Sequence, residues 1–170
     1  MLLGKRFADA LLDYDGFVLH SSAVSYQNNA YLFSADSGTG KSTHTQLWKR
    51  CFDGAEIIND DKPAIRLIDG NFYVFGTPWS GSTPLNKNVS VPLKAICFIE
   101  RGEKNSIERM TDNAKIIHLL LSQTLRRVGP DKTDKLFAFI DKLIRNVPIY
   151  KLSCLPDEDA AKLAYSIMSK

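Results

Sequence analysis

The run Ala35-Asp36-Ser37-Gly38-Thr39-Gly40-Lys41-Ser42-Thr43 carries the clearest chemistry in the chain. It follows the apolar stretch Ala30 to Phe33 and precedes a segment of helical periodicity, the strand–loop–helix setting in which a glycine-bearing loop can cradle phosphates. Gly38 and Gly40 let the backbone curl until successive amides point inward, Lys41 can reach the outer phosphates, and Ser42 can set its hydroxyl on Mg²⁺. The N-terminus of the following helix adds partial positive charge. Asp36, Ser37, Gly38, Thr39, Gly40, Lys41, Ser42 and Thr43 are therefore the candidate nucleotide-binding residues of a variant Walker A loop, with Ala35 where the strict pattern has glycine.

A metal held only by Ser42 and phosphates would lack protein-fixed geometry, so a carboxylate is expected at the end of a neighbouring strand. Asp60-Asp61 follows the loop by one helix and one strand, the least that a crossover to an adjacent strand requires. Neighbouring strand-end side chains diverge, so one aspartate can serve the metal while the other faces an acceptor hydroxyl. Taken alone, Asn59-Asp60-Asp61 also reads as a solvated turn. His20, within Leu19-His20-Ser21-Ser22-Ala23 on the strand before the loop, reads by itself as a structural histidine. Arg101, beside Gly102, either neutralises developing charge or is simply solvated.

His20-Ser21-Ser22-Ala23, Ser37 to Thr43 and Asp60-Asp61 resemble, in order and approximate spacing, the motifs of the HPr kinase and phosphoenolpyruvate carboxykinase superfamily. Thr77-Pro78-Trp79-Ser80-Gly81-Ser82 matches the style of that family's glycine-rich loop, and the resemblance covers roughly residues 14 to 101. It implies an α/β P-loop nucleotide-binding domain with a mixed, β-rich central sheet, like the C-terminal domain of HPr kinase. It also implies ATP or GTP and Mg²⁺ as cofactors, and places His20 near the phosphates and metal. The expected catalytic residues are His20, Lys41, Asp60 and Asp61, and the expected metal ligands Ser42, Asp60 and Asp61.

The chain departs from both branches. The additional N-terminal domain of HPr kinases is absent here, and their motif for recognising a protein substrate is not evident after residue 101. Carboxykinases are far longer and bring several basic residues to a carboxylate substrate, so phosphoryl transfer is favoured over decarboxylation. The expected activity is a kinase (phosphotransferase) acting on a hydroxyl of a protein, peptide or small molecule. The alternative is a non-catalytic nucleotide-binding regulatory module, which would keep the loop and need no second aspartate. Because HPr kinases assemble, homo-oligomerisation is implied as well.

The elements that must position these residues follow from periodicity. Leu3, Phe7, Ala10 and Leu11 predict a short amphipathic helix ending before Asp15-Gly16, which reads as the stub of a longer parent. Phe17 to Tyr26, the turn Gln27-Asn28-Asn29 and Tyr31 to Phe33 predict a hairpin feeding the loop. A helix of about three turns follows Lys41; then come a strand at Glu56 to Ile58 and a hairpin of Ala64 to Ile68 and Phe72 to Phe75 around Asp69-Gly70. Gly76 to Pro92 is a long Pro/Gly-punctuated loop, expected to cover the site between Thr77 and Asn88. Strands are predicted at Leu93 to Glu100, Ser106 to Met110 and Ile149 to Leu152. Helices are predicted from Thr111-Asp112 to Gly129-Pro130, from Asp131 to Arg145, and after Pro156-Asp157-Glu158.

A chain of 170 residues, 44% of them hydrophobic, suits one globular domain spanning 1–170. A net charge of +3, evenly spread, argues against a nucleic-acid stripe or a membrane-binding face. Gly4-Lys5-Arg6 interrupts Leu2-Leu3 before any signal-peptide core can form. Cys51, Cys97 and Cys154 show no pairing pattern, which fits a reducing cytoplasm, with Cys97 and Cys154 in apolar surroundings.

Overall fold

The computed structural model describes residues 2–124 and 129–170. Helix Leu2–Leu11 (α1) leads into strands Gly16–Val18 (β1), Ser21–Tyr26 (β2) and Asn29–Ser34 (β3), then helix Lys41–Cys51 (α2) and strand Glu56–Asn59 (β4). Ala64–Ile68 (β5) and Asn71–Phe75 (β6) form a hairpin, turned by Asp69 and Gly70 at φ 49° and 80°. Ser90–Arg101 (β7), Ser106–Arg109 (β8), Asn113–Ser122 (α3), Thr133–Asn146 (α4), Ile149–Cys154 (β9) and Glu158–Met168 (α5) follow. Two of the helices start on aspartate caps: Asp112 accepts from the Lys115 amide at 3.2 Å and Asp157 from that of Ala160 at 2.9 Å.

The strands make one mixed sheet in the order β1-β5-β6-β7-β3-β2-β4, with β9 and β8 continuing beside β7. β7 is the pivot. Its start, Ser90 to Pro92, pairs antiparallel with β6, while Ile96 to Arg101 pair parallel with β9 along the same edge, so the sheet curls around it. β3 runs parallel to β7 on its other side. Because side chains alternate along a strand, Leu32, Ile96 and Phe98 pack under α3 and α4 with Leu120, Phe139 and Ile140. Tyr31, Phe33, Cys97 and Ile99 pack on the opposite face with Trp48 of α2 and Ala161 and Ala164 of α5. Helices on both faces explain why the central strands read as continuous apolar runs. Cys97 and Cys154 are buried free thiols. Among the described residues no helix is long and apolar enough to cross a membrane.

Several expectations need correction. Phe17 to Tyr26 is not one strand: the chain breaks at Leu19-His20, so that β1 joins β5 while β2 joins β3 and β4. His20 thus sits in a break between strands and not on one. β4 is not adjacent to β3, because β2 lies between them, antiparallel to both. α3 stops at Ser122 and does not reach Gly129-Pro130, because Gln123 and Thr124 leave the helix to bond with the 18–20 segment. Residues 125–128 of that predicted helix lie outside the described residues.

The loop between β6 and β7 is tied down by backbone bonds. The Lys87 amide donates to the Ile58 carbonyl at 2.9 Å, and the Asp60 amide to that of Leu85 at 3.1 Å. Gly76 lies where a Cβ would strike the backbone carbonyl of Lys87. Gly76→Ala is expected to lower stability by about 1–3 kcal/mol as backbone shifts to relieve the overlap, read as a lower midpoint in urea; an unchanged midpoint would show that this crossing yields freely.

Candidate active site

The 35–43 loop joins the end of β3 to the start of α2. Gly38 and Gly40 adopt φ 80° and 124°, the left-handed region that glycine enters without strain, and the Thr39 amide donates to the Asp36 carbonyl at 3.2 Å. Lys41, only 7% exposed, folds back to donate from Nζ to the carbonyls of Ala35 at 2.8 Å and Asp36 at 3.2 Å. Burial pushes its ammonium below the usual lysine range, and the carboxylates of Asp61, Asp36 and Asp60 oppose that shift. Lys41 is thus desolvated, with its ammonium held by loop carbonyls within the field of three carboxylates.

Asp60 and Asp61 lie just past β4, in a turn built by Asn59, whose Oδ1 accepts from the amides of Asp61 at 3.0 Å and Lys62 at 2.7 Å. The turn reading and the functional reading are therefore compatible: the Asx turn aims the two carboxylates. Asp60 Oδ1 accepts from Ser22 Oγ at 2.6 Å and Oδ2 from Thr83 Oγ1 at 2.9 Å, which holds the group in one orientation. Ser22 also bonds Thr45 of α2 at 2.8 Å, linking Asp60 to the helix that begins at Lys41. Asp61 points elsewhere, to His20 Nε2 at 3.3 Å and to Lys62 Nζ. Burial alone would raise its pKa, but hydrogen bonds and charge from His20 and Lys62 outweigh burial and hold the carboxyl down to about 2.

Gln123 organises His20. Its Nε2 donates to Asp36 Oδ1 at 2.7 Å, so its Oε1 faces His20 Nδ1 at 3.0 Å. A carboxylate only accepts, so the amide orientation is determined and Nδ1 donates to Gln123 Oε1; Nε2 must carry a hydrogen as well to donate to Asp61, so the pairing with Asp61 calls for the imidazolium form. The His20 amide also donates to the Gln123 carbonyl at 2.8 Å.

These side chains meet in one cleft of about 410 Å³, into which His20, Lys41, Ser42, Asp60 and Asp61 all open, with Ser80 to Thr83 as the opposite wall. Ser37, Gly38, Gly40 and Thr43 line it as well. Asp36 does not, because its side chain is taken by Gln123. Thr39 lies on the other flank of the loop, in a second cavity of about 400 Å³ shared with Leu47, Ile99, Leu155 and Arg101. Arg101 is not beside the aspartates: its Nη2 donates to the Gly38 carbonyl at 2.8 Å.

Sequence reasoning missed Ser22, Thr83, Lys62 and Gln123. Lys62 borders the aspartates and is marked by that adjacency, whereas Gln123, at a helix end 103 positions from His20, carries no signal in the sequence. Among the described residues no group of three or more His, Cys, Asp or Glu could hold a metal. The hard oxygen donors Ser42, Asp60 and Asp61, which share the cleft, suit Mg²⁺, which keeps several waters and takes one or two carboxylates together with substrate phosphates.

No family model matches the chain, and no curated protein matches it. Among solved structures, the Hpr(Ser) kinase/phosphatase from Coxiella burnetii superimposes with a TM-score of 0.48 at 10% identity, covering 89% of this chain and 93% of that one. A superposition this loose leaves activity and site to be argued from the side chains themselves.

Proposed function

We propose that the protein is a nucleotide- and Mg²⁺-dependent kinase-type phosphotransferase, moving the terminal phosphoryl group of ATP or GTP to a hydroxyl of a protein, peptide or small molecule. The observation that carries this is the meeting of Lys41, the glycine-bearing loop at the start of α2 and two differently held carboxylates in one cleft. Loop amides and the α2 N-terminus would hold the phosphates, and the ammonium of Lys41 would leave its loop carbonyls for the outer phosphate oxygens. The apolar flank with Leu47, Ile99 and Leu155 lies on the far side of the loop, where the nucleoside would rest. Bound Mg²⁺ would neutralise phosphate charge, with Ser42 and Asp60 as its protein ligands.

Asp60 suits a fixed ligand because both its oxygens are pinned by hydroxyls. Asp61 suits the acceptor. A carboxyl held near 2 is a weak base, adequate to orient a hydroxyl and take its proton once the new O–P bond has made that proton acidic. The acceptor oxygen bonds to phosphorus, the bond to the bridging oxygen breaks, and the nucleoside diphosphate leaves with the electron pair. His20, oriented by Gln123, would keep Asp61 ionised and in place.

The test is thermal melting with millimolar ATP or GTP and Mg²⁺. A ligand at a hundred times its dissociation constant stabilises by about 2.7 kcal/mol, so a clear rise in Tm is expected, and Lys41→Ala should abolish it. An unchanged Tm with both nucleotides sinks the proposal. A shift with no turnover under any acceptor would favour a module that only holds nucleotide.

A further inference from the structure

A third cavity, of about 620 Å³, opens beside the cleft, between α1 and the 78–86 loop. The two cavities share Asp61, Ser80, Gly81 and Ser82, so a molecule filling one presents its end to the other. The walls away from Asp61 are mostly apolar: Trp79, Phe7, Val18, Pro78 and Pro84. Trp79 is held by α1, its ring 5.2 Å from that of Phe7 at 39°, and Gly4 provides the space, since a Cβ there would come within 3.2 Å of the indole. Its indole N–H has no hydrogen-bond partner among the described residues. Lys5 stands at the rim, exposed and with no ion pair among the described residues.

We infer that this cavity is the acceptor site, and that it takes a small hydroxylated molecule with a flat apolar body and an anionic group. The inference rests on the phosphoryl-transfer reading and names its substrate class. Its volume falls within the range of small-molecule pockets, roughly 300–1,000 Å³, and its polarity has a direction. The end at Asp61 accepts a hydroxyl proton, the middle offers the indole of Trp79, and the rim offers the ammonium of Lys5. A polyol without a flat body would leave the apolar walls wet, and a body without a hydroxyl would bring nothing to the phosphoryl group. Transfer balances as above: the acceptor O–H loses its proton to Asp61, its oxygen bonds to phosphorus, and the nucleoside diphosphate departs.

A suitable probe is 4-(hydroxymethyl)benzoate, which carries the hydroxyl, ring and carboxylate in line, with glycerol and a serine-containing peptide as comparators. The full chain is incubated with ATP and Mg²⁺ while release of ADP and tryptophan fluorescence are followed. The probe is expected to accelerate ADP release, to perturb fluorescence and to appear as its phosphate ester. Trp79→Ala should raise the KM for the probe about tenfold, the worth of a good aromatic contact. Nucleotide affinity should hold, and Trp79→Phe should restore most of the loss; near-UV circular dichroism confirms that each variant is folded. Lys5→Gln should weaken the benzoate more than benzyl alcohol. If nucleotide binds and the probe neither binds nor reacts, the acceptor inference is overturned while the nucleotide reading stands. Transfer to glycerol or peptide that is indifferent to Trp79→Ala overturns it equally. A concentration-dependent dimer lost in Trp79→Ala, with no probe binding, gives the cavity to a second copy and overturns it too. No Tm shift with nucleotide overturns both readings together.

Discussion

Asp60→Asn and Asp61→Asn are expected to fail in different ways. Asp60 is pinned through both oxygens by Ser22 and Thr83 and coupled through Thr45 to α2, so its role is to present a fixed ligand. Asn at that position keeps a carbonyl oxygen but loses the charge, and affinity for Mg²⁺-nucleotide should fall along with turnover. Asp61 belongs to the acceptor side. Its loss should cost about 10²–10⁴ in rate, or about 3–5 kcal/mol of barrier, the usual effect of removing a positioned base, while nucleotide affinity changes little. Nucleotide titration and acceptor-dependent ADP release on each variant separate the two. If the affinity loss instead belongs to Asp61→Asn, the roles are reversed. If both variants match wild type, the pair is only a turn and the kinase reading falls to the binding-module one.

Stability should fall as pH drops from about 6.5 toward about 4, because of His44. This residue sits on α2 at 3% exposure, its ring 4.5 Å from that of Phe33, and its Nε2 accepts from Trp48 Nε1 at 3.1 Å. Burial pushes its pKa down to about 4. The unfolded chain returns it to the ordinary histidine value, so between the two values the unfolded state binds the extra proton and is favoured. Above that window both states are neutral and the term vanishes. A depression of this size corresponds to about 3 kcal/mol of stability lost on acidification, taken to order of magnitude. Urea unfolding at pH 7 and pH 4.5 measures it, and His44→Leu should flatten the difference, though it costs Trp48 its acceptor. A wild-type midpoint indifferent to pH across that interval would show that His44 is protonated in place or reached by water.

Local patterns determined much of this molecule. The strand–loop–helix setting of Lys41, the Asp69-Gly70 hairpin, the aspartate caps of α3 and α5 and the double-sided burial of the central strands are each governed by interactions within a few residues or by a period of alternation, and such features are legible along the chain. The residues proposed for chemistry were legible for the same reason, since a glycine-bearing loop and a strand-end carboxylate pair are local devices. Only the tertiary structure decided how they meet. The insertion of β2 between β3 and β4 reflects a choice of partner among strands of similar apolar character, which composition does not encode. The break at His20 and the early end of α3 coincide in space: the Gln123 carbonyl accepts from the His20 amide and Thr124 Oγ1 donates to the Val18 carbonyl, contacts with residues more than a hundred positions away. The separate fates of Asp60 and Asp61 follow from His20 and Ser22, two residues apart in one segment, and from Thr83 in another. Carboxylates adjacent in sequence become chemically unlike because burial, hydroxyl donors and neighbouring cations are properties of where a side chain ends up, and those are settled only when the sheet closes.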